Sequence, residues 1–518
     1  MSCERLCVPP SPPQTFKTLA YEDTCMTYED VVNLALRRGL FYPASEIYQN
    51  APAGFYDFGP YGATIRRNII EHWRKTFVQH QGFLEIDGAI TMPEDVFNAS
   101  GHLDSFNDPM TQCAKCNTIH RADKLIEEQG HDVKEATPVD ELTAALRKDA
   151  IHCPKCGGEL LAVKQFNLMV KAEIGASQTV SCYLRPESCQ SIFTSWHRIM
   201  NTMRVKLPQG ISQVGRVYRN EISPRQTLIR QVEFMQMESE IFFDPKQIDE
   251  VEGWDEIASF EVCVLRQGNK DVEHISAEQL VRENIVSGKL VAHALARTQQ
   301  LYERYGIPRD TLRFREVGDD ERAFYAKEGW DLEVHTSLGW IELGPINYRT
   351  DYDLKRHMEE SGQDLHYAYD DGTKIIPHVL EISLGVDRTF YAVLELAYRT
   401  DEKRMWLSLP EHLAPLQLGI FPLLKNKPPL VSKAKEIYHE LQSCYKCFYD
   451  ESGSIGKRYA RLDEIGIPFC ITIDFETIED DNAVTLRDRD SAEQKRIKIS
   501  DLRDVLYKLF TGTAFADL

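Results

Sequence analysis

Residues 230–243, "RQVEFMQMESEIFF", alternate so regularly that they constrain the rest of the chain. Period-two alternation marks a strand, because successive side chains leave a strand on opposite faces. It sets Val232, Phe234, Gln236, Glu238 and Glu240 on one face, and Glu233, Met235 and Met237 on the other. An aromatic ring followed along one face by three polar groups is unlike a core face. Just upstream, "GISQVGRVYRN" (210–220) reads as a second strand, and "ISPRQTLIR" (222–230) as the tip between them. The pair predicts an antiparallel hairpin with a long tip. A flat ligand stacked on Phe234, with a cationic group near Glu238, suits that face. Arg219 and Arg230, at the two sides of the tip, suit phosphates, which arginine grips in forked geometry. A solvated hairpin laced with salt bridges is the competing reading.

Other segments predict the surrounding organisation. At 518 residues the chain needs two or three domains. Its 42% hydrophobic and 27% charged content fits a soluble globular protein. Helical spacing is expected over 28–39 and 62–80, with a strand beginning near Phe83. "FNLMV" (166–170), "VSCYLRP" (180–186), "LEVHTSLGWIELGPINYR" (332–349) and "KIIPHVLEISLGVDR" (374–388) read as strands. Residues 108–160 look like a Cys-rich insertion, and 246–330 like a mainly helical one. From 411 to 518 the pattern becomes strand–helix–strand, which predicts a separate α/β domain after a 28–410 domain. Residues 1–27 read as an N-terminal extension without a signal-type apolar core.

The net charge of −20 argues against nonspecific coating of nucleic acid, DNA included, but leaves room for a local basic surface. No apolar run is long enough for a bilayer. The thirteen cysteines, without a signal peptide, point to thiols and metal ligands in a cytoplasmic setting. Cys113/Cys116 ("CAKC") and Cys153/Cys156 ("CPKCGG") have zinc-ribbon spacing within each pair. Four cysteines leave no open coordination position, so the expected zinc is structural. Cys444/Cys447 forms a third pair, on a helix-to-strand junction, with no partner pair nearby.

The opening stretch, with "YRNEISPR" followed by "VEF", resembles motif 2 of the class II aminoacyl-tRNA synthetases, and most closely the glycyl-tRNA synthetases of the homodimeric type. Collinear segments resemble the same family. They are "GFYDFGPYGATIRRNIIEHW" (54–73), "FNASGHLDSFNDPMTQC" (97–113), "YLRPESCQSIF" (183–193), "YRTDYDLKRH" (348–357), "PHVLEISLGVDR" (377–388) and "YDESGSIGKRYARLDEIGIPFCITID" (449–474). The resemblance implies an α+β fold, in which an antiparallel sheet flanked by helices carries a zinc-ribbon-like insertion. A C-terminal α/β anticodon-binding domain would follow. The implied activity is attachment of glycine to tRNA(Gly) through glycyl-adenylate, using ATP and Mg²⁺, in a homodimer.

Carried onto this sequence, the resemblance makes Arg219 and Arg388 catalytic, Arg219 at the α-phosphate and Arg388 at the far phosphates. It places Asn220, Glu221, Arg230, Gln231, Phe234, Glu342 and Leu343 around ATP, with Glu221 accepting from the adenine amino group and Phe234 under the ring. It places Glu187, Glu238, Glu381, Ile382 and Ser383 around glycine, and offers Glu342 and Glu381 to magnesium. Lys457, Arg458, Arg461, Arg487 and Arg489 would meet the anticodon arm. His102 reads either as a satisfied loop histidine or as a contact for the acceptor end. The chain departs from the family's usual "PETAQG", "EPSFG" and "E..GIA.R" at Ser191, Ile382, Leu384, Pro345 and Asn347. These departures keep two rivals open: a paralogue activating another small amino acid, and a non-catalytic tRNA-binding protein.

Overall fold

The computed structural model describes residues 27–518 except 132, 134–136, 177–179, 223, 225, 320 and 324. The expected N-terminal extension therefore lies outside the described residues but for Thr27. Nine strands form the main sheet: β1 (Leu84–Ile86), β2 (Gln209–Tyr218), β3 (Glu233–Phe243), β4 (Glu261–Leu265), β5 (Glu273–Ser276), β6 (Leu312–Glu316), β7 (Glu328–Thr336), β8 (Gly339–Thr350) and β9 (His378–Gly385). Their order across the sheet is β5-β4-β6-β7-β8-β9-β3-β2-β1. All neighbours are antiparallel except β1/β2 and β4/β6.

The alternation read from the sequence decides which face of this sheet is dry. Met237, Ile241 and Phe243 of β3, with Leu380, Ile382 and Leu384 of β9, join the large apolar core. Helices α1 (Tyr28–Arg37), α2 (Pro60–Trp73), α4 (Lys289–Arg304) and α6 (Val386–Ala397) contribute to the same core. The other face carries a smaller core, where Trp196 of α3 (Cys189–Met203) stacks on Phe242 at 4.1 Å and Leu354 of α5 (Tyr352–Ser361) packs alongside. Between that small core and the hairpin tip the same face is polar. Helix α1 starts at a capping box in which Thr27 and Asp30 satisfy each other's backbone N–H groups.

Several expectations change in detail. The helix expected over 62–80 ends at Trp73 and continues as a π-turn, Arg74–Gln79. "FNLMV" is not one strand: Lys164–Asn167 and Val170–Ile174 belong to different sheets, and Asn167 Oδ1 accepts from the Met169 N–H at 2.9 Å to make the turn. Residues 246–330 hold more than the expected helices: alongside Ala277–Arg282 and Lys289–Arg304 they supply β4, β5, β6 and the start of β7. Charged residues at the sheet's far end, such as Arg313 and Arg315 paired with Glu333, hide the strand pattern there.

The Cys-rich module is built on a three-stranded sheet, Asn107–Gln112, Ile119–Arg121 and Lys164–Asn167. Leu125, Ile126, Leu142 and Leu146 of its helices give it a core of its own. The C-terminal sheet contains β10 (Leu418–Pro422), β11 (Cys447–Tyr449), β12 (Phe469–Ile473), β13 (Ala483–Asp488) and β14 (Gln494–Lys498), in the order β11-β10-β12-β13-β14. Helices α7 (Pro428–Leu441), α8 (Ile455–Asp463) and α9 (Leu502–Phe510) pack on it.

Four of the five basic residues assigned to the anticodon arm are committed inside this domain. Arg487 makes two bonds to Asp463, at 2.8 and 2.9 Å, and Arg489 donates to the carbonyls of Gly466 and Leu409. Arg458 is buried against the carbonyls of Pro422 and Gly453, and Arg461 pairs with Asp450. Lys457 alone of the five is exposed. Arg458, Arg487 and Arg489 are buried, which keeps them from a phosphate at the surface.

Candidate active site

A cleft opens on the polar face where β3, β8 and β9 lie side by side. The hairpin brings Arg219, Glu221, Arg230, Gln231, Phe234 and Gln236 to its wall. Arg219 stands 5.3 Å from the ring centres of both Phe234 and Phe106, and its Nε donates to the Pro186 carbonyl at 3.2 Å. Arg230 pairs with Glu221 at 3.2 Å. From the opposite side Arg388, in the first turn of α6, donates to the carbonyls of Ile229 and Glu342 at 3.0 and 2.8 Å. Its neighbour Asp387 turns inward, pairing with Arg66 at 2.7 Å and accepting from the Met235 N–H at 3.1 Å. The junction of β9 with α6 is thereby tied to both the hairpin and α2.

Strand β8 lines the cleft with four consecutive residues, Glu342, Leu343, Gly344 and Pro345, which a regular strand cannot do. A bulge explains it. Leu332 pairs with Gly344 but Glu333 pairs with Glu342, so Leu343 is the extra residue and re-aims its neighbours. Gly344 also lets β8 lie close to β9, since a Cβ there would fall 1.9 Å from the Ser383 carbonyl oxygen. Glu342 is half exposed and open to the cleft, as a magnesium ligand would need to be.

At the floor stand Glu187, Glu381 and Ser383. Ser188 and Ser383 donate to the two oxygens of Glu238 at 2.5 and 2.6 Å, which places Glu238 just beneath the floor. Glu381 Oε1 accepts from Arg349 at 3.0 Å and Oε2 from Asn347 at 2.8 Å. With each oxygen already accepting from one buried donor, Glu381 is held in place with acceptor capacity left for an ammonium in the cleft. Arg349 is fully buried, with Asp353 of α5 holding its far side by two 2.8 Å bonds. Glu187 precedes α3 and lies 3.2 Å from His102 Nε2, while His102 Nδ1 meets Ser100 Oγ at 2.7 Å. The satisfied-loop reading of His102 therefore holds, with an added role in orienting Glu187.

Burial raises the proton affinity of this floor unevenly. It pushes Glu381 up to about 7 against the pull of Arg349. It raises Glu238 too, with the charge of Glu187 adding to the effect. Burial and the adjacent Glu381 carry Glu240 well above the ordinary carboxyl range. Glu187 goes the other way: burial opposes its charge, but His102 and Arg349 hold its carboxyl well below the usual value. Charge is thus concentrated where the cleft is open.

Besides Glu238, which lies beneath the floor, two assigned residues do not reach the cleft. Asn220 is exposed outside it, its backbone N–H donating to the Leu168 carbonyl at 2.8 Å. Ile382 points to the opposite face of β9 and is buried in the apolar core. Among the residues where the sequence departs from the resembled motifs, Ser191 and Leu384 are also buried away from the cleft wall. Gln236, Tyr325, Gly344 and Asp387 line the cleft without having been assigned to it. Gln236 was legible from its place on the Phe234 face. Tyr325 and Gly344 depend on a loop and a bulge that carry no spacing signal.

The four module cysteines converge, with all four sulfur atoms within 4.8 Å of one another. Cys113 and Cys156 are 3.5 Å apart, and Cys116 and Cys153 3.7 Å. Thiolates about 2.3 Å from a tetrahedral zinc stand roughly 3.8 Å apart, so the set fits that ion. His120 Nε2 lies 3.4 Å from the Cys153 sulfur, where it can support the ligand. Bonds from Thr118 lower Cys116 to about 6, so one ligand is readily a thiolate.

Comparison with known proteins agrees with this geometry. Residues 173–263 match the family model described as the tRNA synthetase class II core domain (G, H, P, S and T), and residues 417–509 match the anticodon binding domain. The chain is 38% identical to a glycine–tRNA ligase of Thermococcus sibiricus, over 94% of this chain and 99% of that one. It is 37% identical to one of Aeropyrum pernix, over 95% and 98%, and 36% to one of Methanothermobacter thermautotrophicus, over 93% and 99%. The chain belongs to the glycine–tRNA ligase family of the class II aminoacyl-tRNA synthetases.

Proposed function

We propose that the cleft joins glycine to ATP, releasing pyrophosphate, and then passes the glycyl group from the adenylate to the 3′ end of tRNA(Gly). The observation that carries this reading is the meeting, in one cleft, of Arg219 and Arg388 around Phe234 with an anionic floor of Glu187 and Glu381. Phe234 offers the adenine a ring face, and Glu221 an acceptor for its amino group. Arg219 neutralises the α-phosphate as the glycine carboxylate attacks it, and Arg388 holds the departing phosphates. Glu187, Glu381 and Ser383 receive the glycine ammonium, with Glu238 bracing Ser383 from below. Magnesium, when bound, shields phosphate charge, and Glu342 is the residue placed to hold it. Nothing in the reaction needs a covalent protein intermediate; alignment and charge stabilisation suffice.

The paralogue reading draws no support from Ser191, Ile382 or Leu384, which do not touch the cleft. Cys113, Cys116, Cys153 and Cys156 hold a structural zinc in this proposal. The α/β domain over 411–518 receives the anticodon arm, while 28–410 carries the chemistry. The homodimer rests on the sequence resemblance and the cytoplasmic setting on the cysteine usage, and the mass in solution tests the dimer. No helix of the described residues is long and apolar enough to cross a membrane.

Amino-acid-dependent exchange between ATP and pyrophosphate, assayed with all twenty amino acids, tests the central claim. Glycine alone should support exchange, and Arg219→Ala should reduce it at least about 100-fold while leaving tRNA binding largely intact. Exchange with a different amino acid, or undiminished exchange in the variant, would reject the assignment.

A further inference from the structure

We infer that Asn347 is a positioning residue for the amino-acid substrate, fixing the Glu381 carboxylate that faces the substrate ammonium. The inference rests on the proposed function and adds a residue to it. Gly329 on β7, Asn347 on β8, Glu381 on β9 and Glu240 on β3 form one register row across four strands. Within that row Asn347 is only 6% exposed, and its Nδ2 donates to Glu381 Oε2 at 2.8 Å. Arg349, two residues along the same strand, takes the other oxygen at 3.0 Å. Donors on both oxygens stop the carboxylate plane from turning, leaving the remaining acceptor capacity for the cleft.

The row also explains why an amide can sit here. A Cβ on Gly329 would come within 2.9 Å of Asn347 Oδ1, so the bare backbone makes the room. The groups facing Glu381 are Glu187, Glu238, Glu240, Arg349, Asp353 and Tyr325. Four of those six are acids, and a further charge at 347 would work against the one the ammonium needs. A neutral donor favours the ionised form of Glu381 without adding charge.

The test is pyrophosphate exchange with glycine and ATP varied separately, from about pH 6 to 9, for the unaltered protein, N347A and N347D. Loss of one hydrogen bond to a charged group should raise the glycine KM of N347A about tenfold, with the ATP KM within about twofold of unaltered. The acid limb of kcat/KM for glycine should move to higher pH in N347A and further in N347D, whose like charge opposes ionisation of Glu381. N347D is isosteric and decides the matter if N347A fails to fold. An unmoved glycine KM and acid limb in both variants, or glycine and ATP KM values rising together, would overturn the inference while leaving the function intact. Absence of glycine-dependent exchange in the unaltered protein would overturn the function reading, and this one with it.

Discussion

With both oxygens buried and unbonded, Glu240 sits beside Glu381 in the sheet and cannot hold a charge cheaply. Its proton affinity is raised by burial and by that neighbour, which favours its neutral acid form. The sign of the stability effect follows. A carboxyl whose folded pKa lies above its unfolded value stabilises fully below the unfolded value, and that contribution is lost as pH rises through the folded one. Glu240→Gln keeps the shape without the titration. The fall in thermal midpoint as pH rises above the ordinary carboxyl range should therefore be smaller in this variant than in the unaltered protein; an identical fall would show that Glu240 contributes no pH-dependent stability. The alternation in "EFMQMESEIFF" located this residue on the right face. It could not say that Glu238 would find two hydroxyls and Glu240 none, because those partners come from α3 and β9, far away in sequence.

Elements show the same division between what repeats and what does not. Strand β3 was legible because one face is core and the other is site, so its period of two is unbroken from Phe234 to Phe243. Strand β8 was legible as a strand, but its bulge at Leu343 was not, since one extra residue in a ladder leaves no mark on hydropathy. Ile382 was misplaced for a related reason: the motif that names it runs along the strand, while the site uses only every second residue. The close approach of β8 to β9 hangs on Gly344. Gly344→Ala should force the strands apart, costing roughly 1–3 kcal/mol in stability and lowering exchange activity, as thermal melts and the exchange assay would record. An alanine variant with unchanged midpoint and activity would mean that the two strands separate freely.

At the scale of the whole molecule, the catalytic and C-terminal parts share structure rather than merely a linker. Phe421, Leu462, Ile465 and Cys470 join the catalytic core, Arg37 and Arg38 pair with Glu464, and Arg404 reaches Asp463 at 3.1 Å. Several arginines that looked like an RNA surface are spent on this internal bracing, a use that composition alone cannot distinguish from a binding face. The Cys-rich module differs, having a small core of its own that includes Cys113 and Cys153 of the four-cysteine cluster. The purified protein should hold about one zinc per chain. Chelation should speed amide hydrogen exchange across 107–167 while leaving 209–243 protected. A metal-free preparation with the same protection pattern would refute the zinc assignment.

The order of strands in the main sheet bears on how the chain is made. β9 lies between β8 and β3, yet of the nine strands it is the last in the sequence. Without His378–Gly385 the sheet is two part-sheets, each with an open edge that this strand must close. One edge, β3, bears Glu238 and Glu240, and the other, β8, bears Arg349 and Pro345, so each edge is guarded by charge or by proline while it waits. Arg388 follows directly after the closing strand. Arg388 thus joins Arg219 at the cleft only once the strand that seals the sheet is in place.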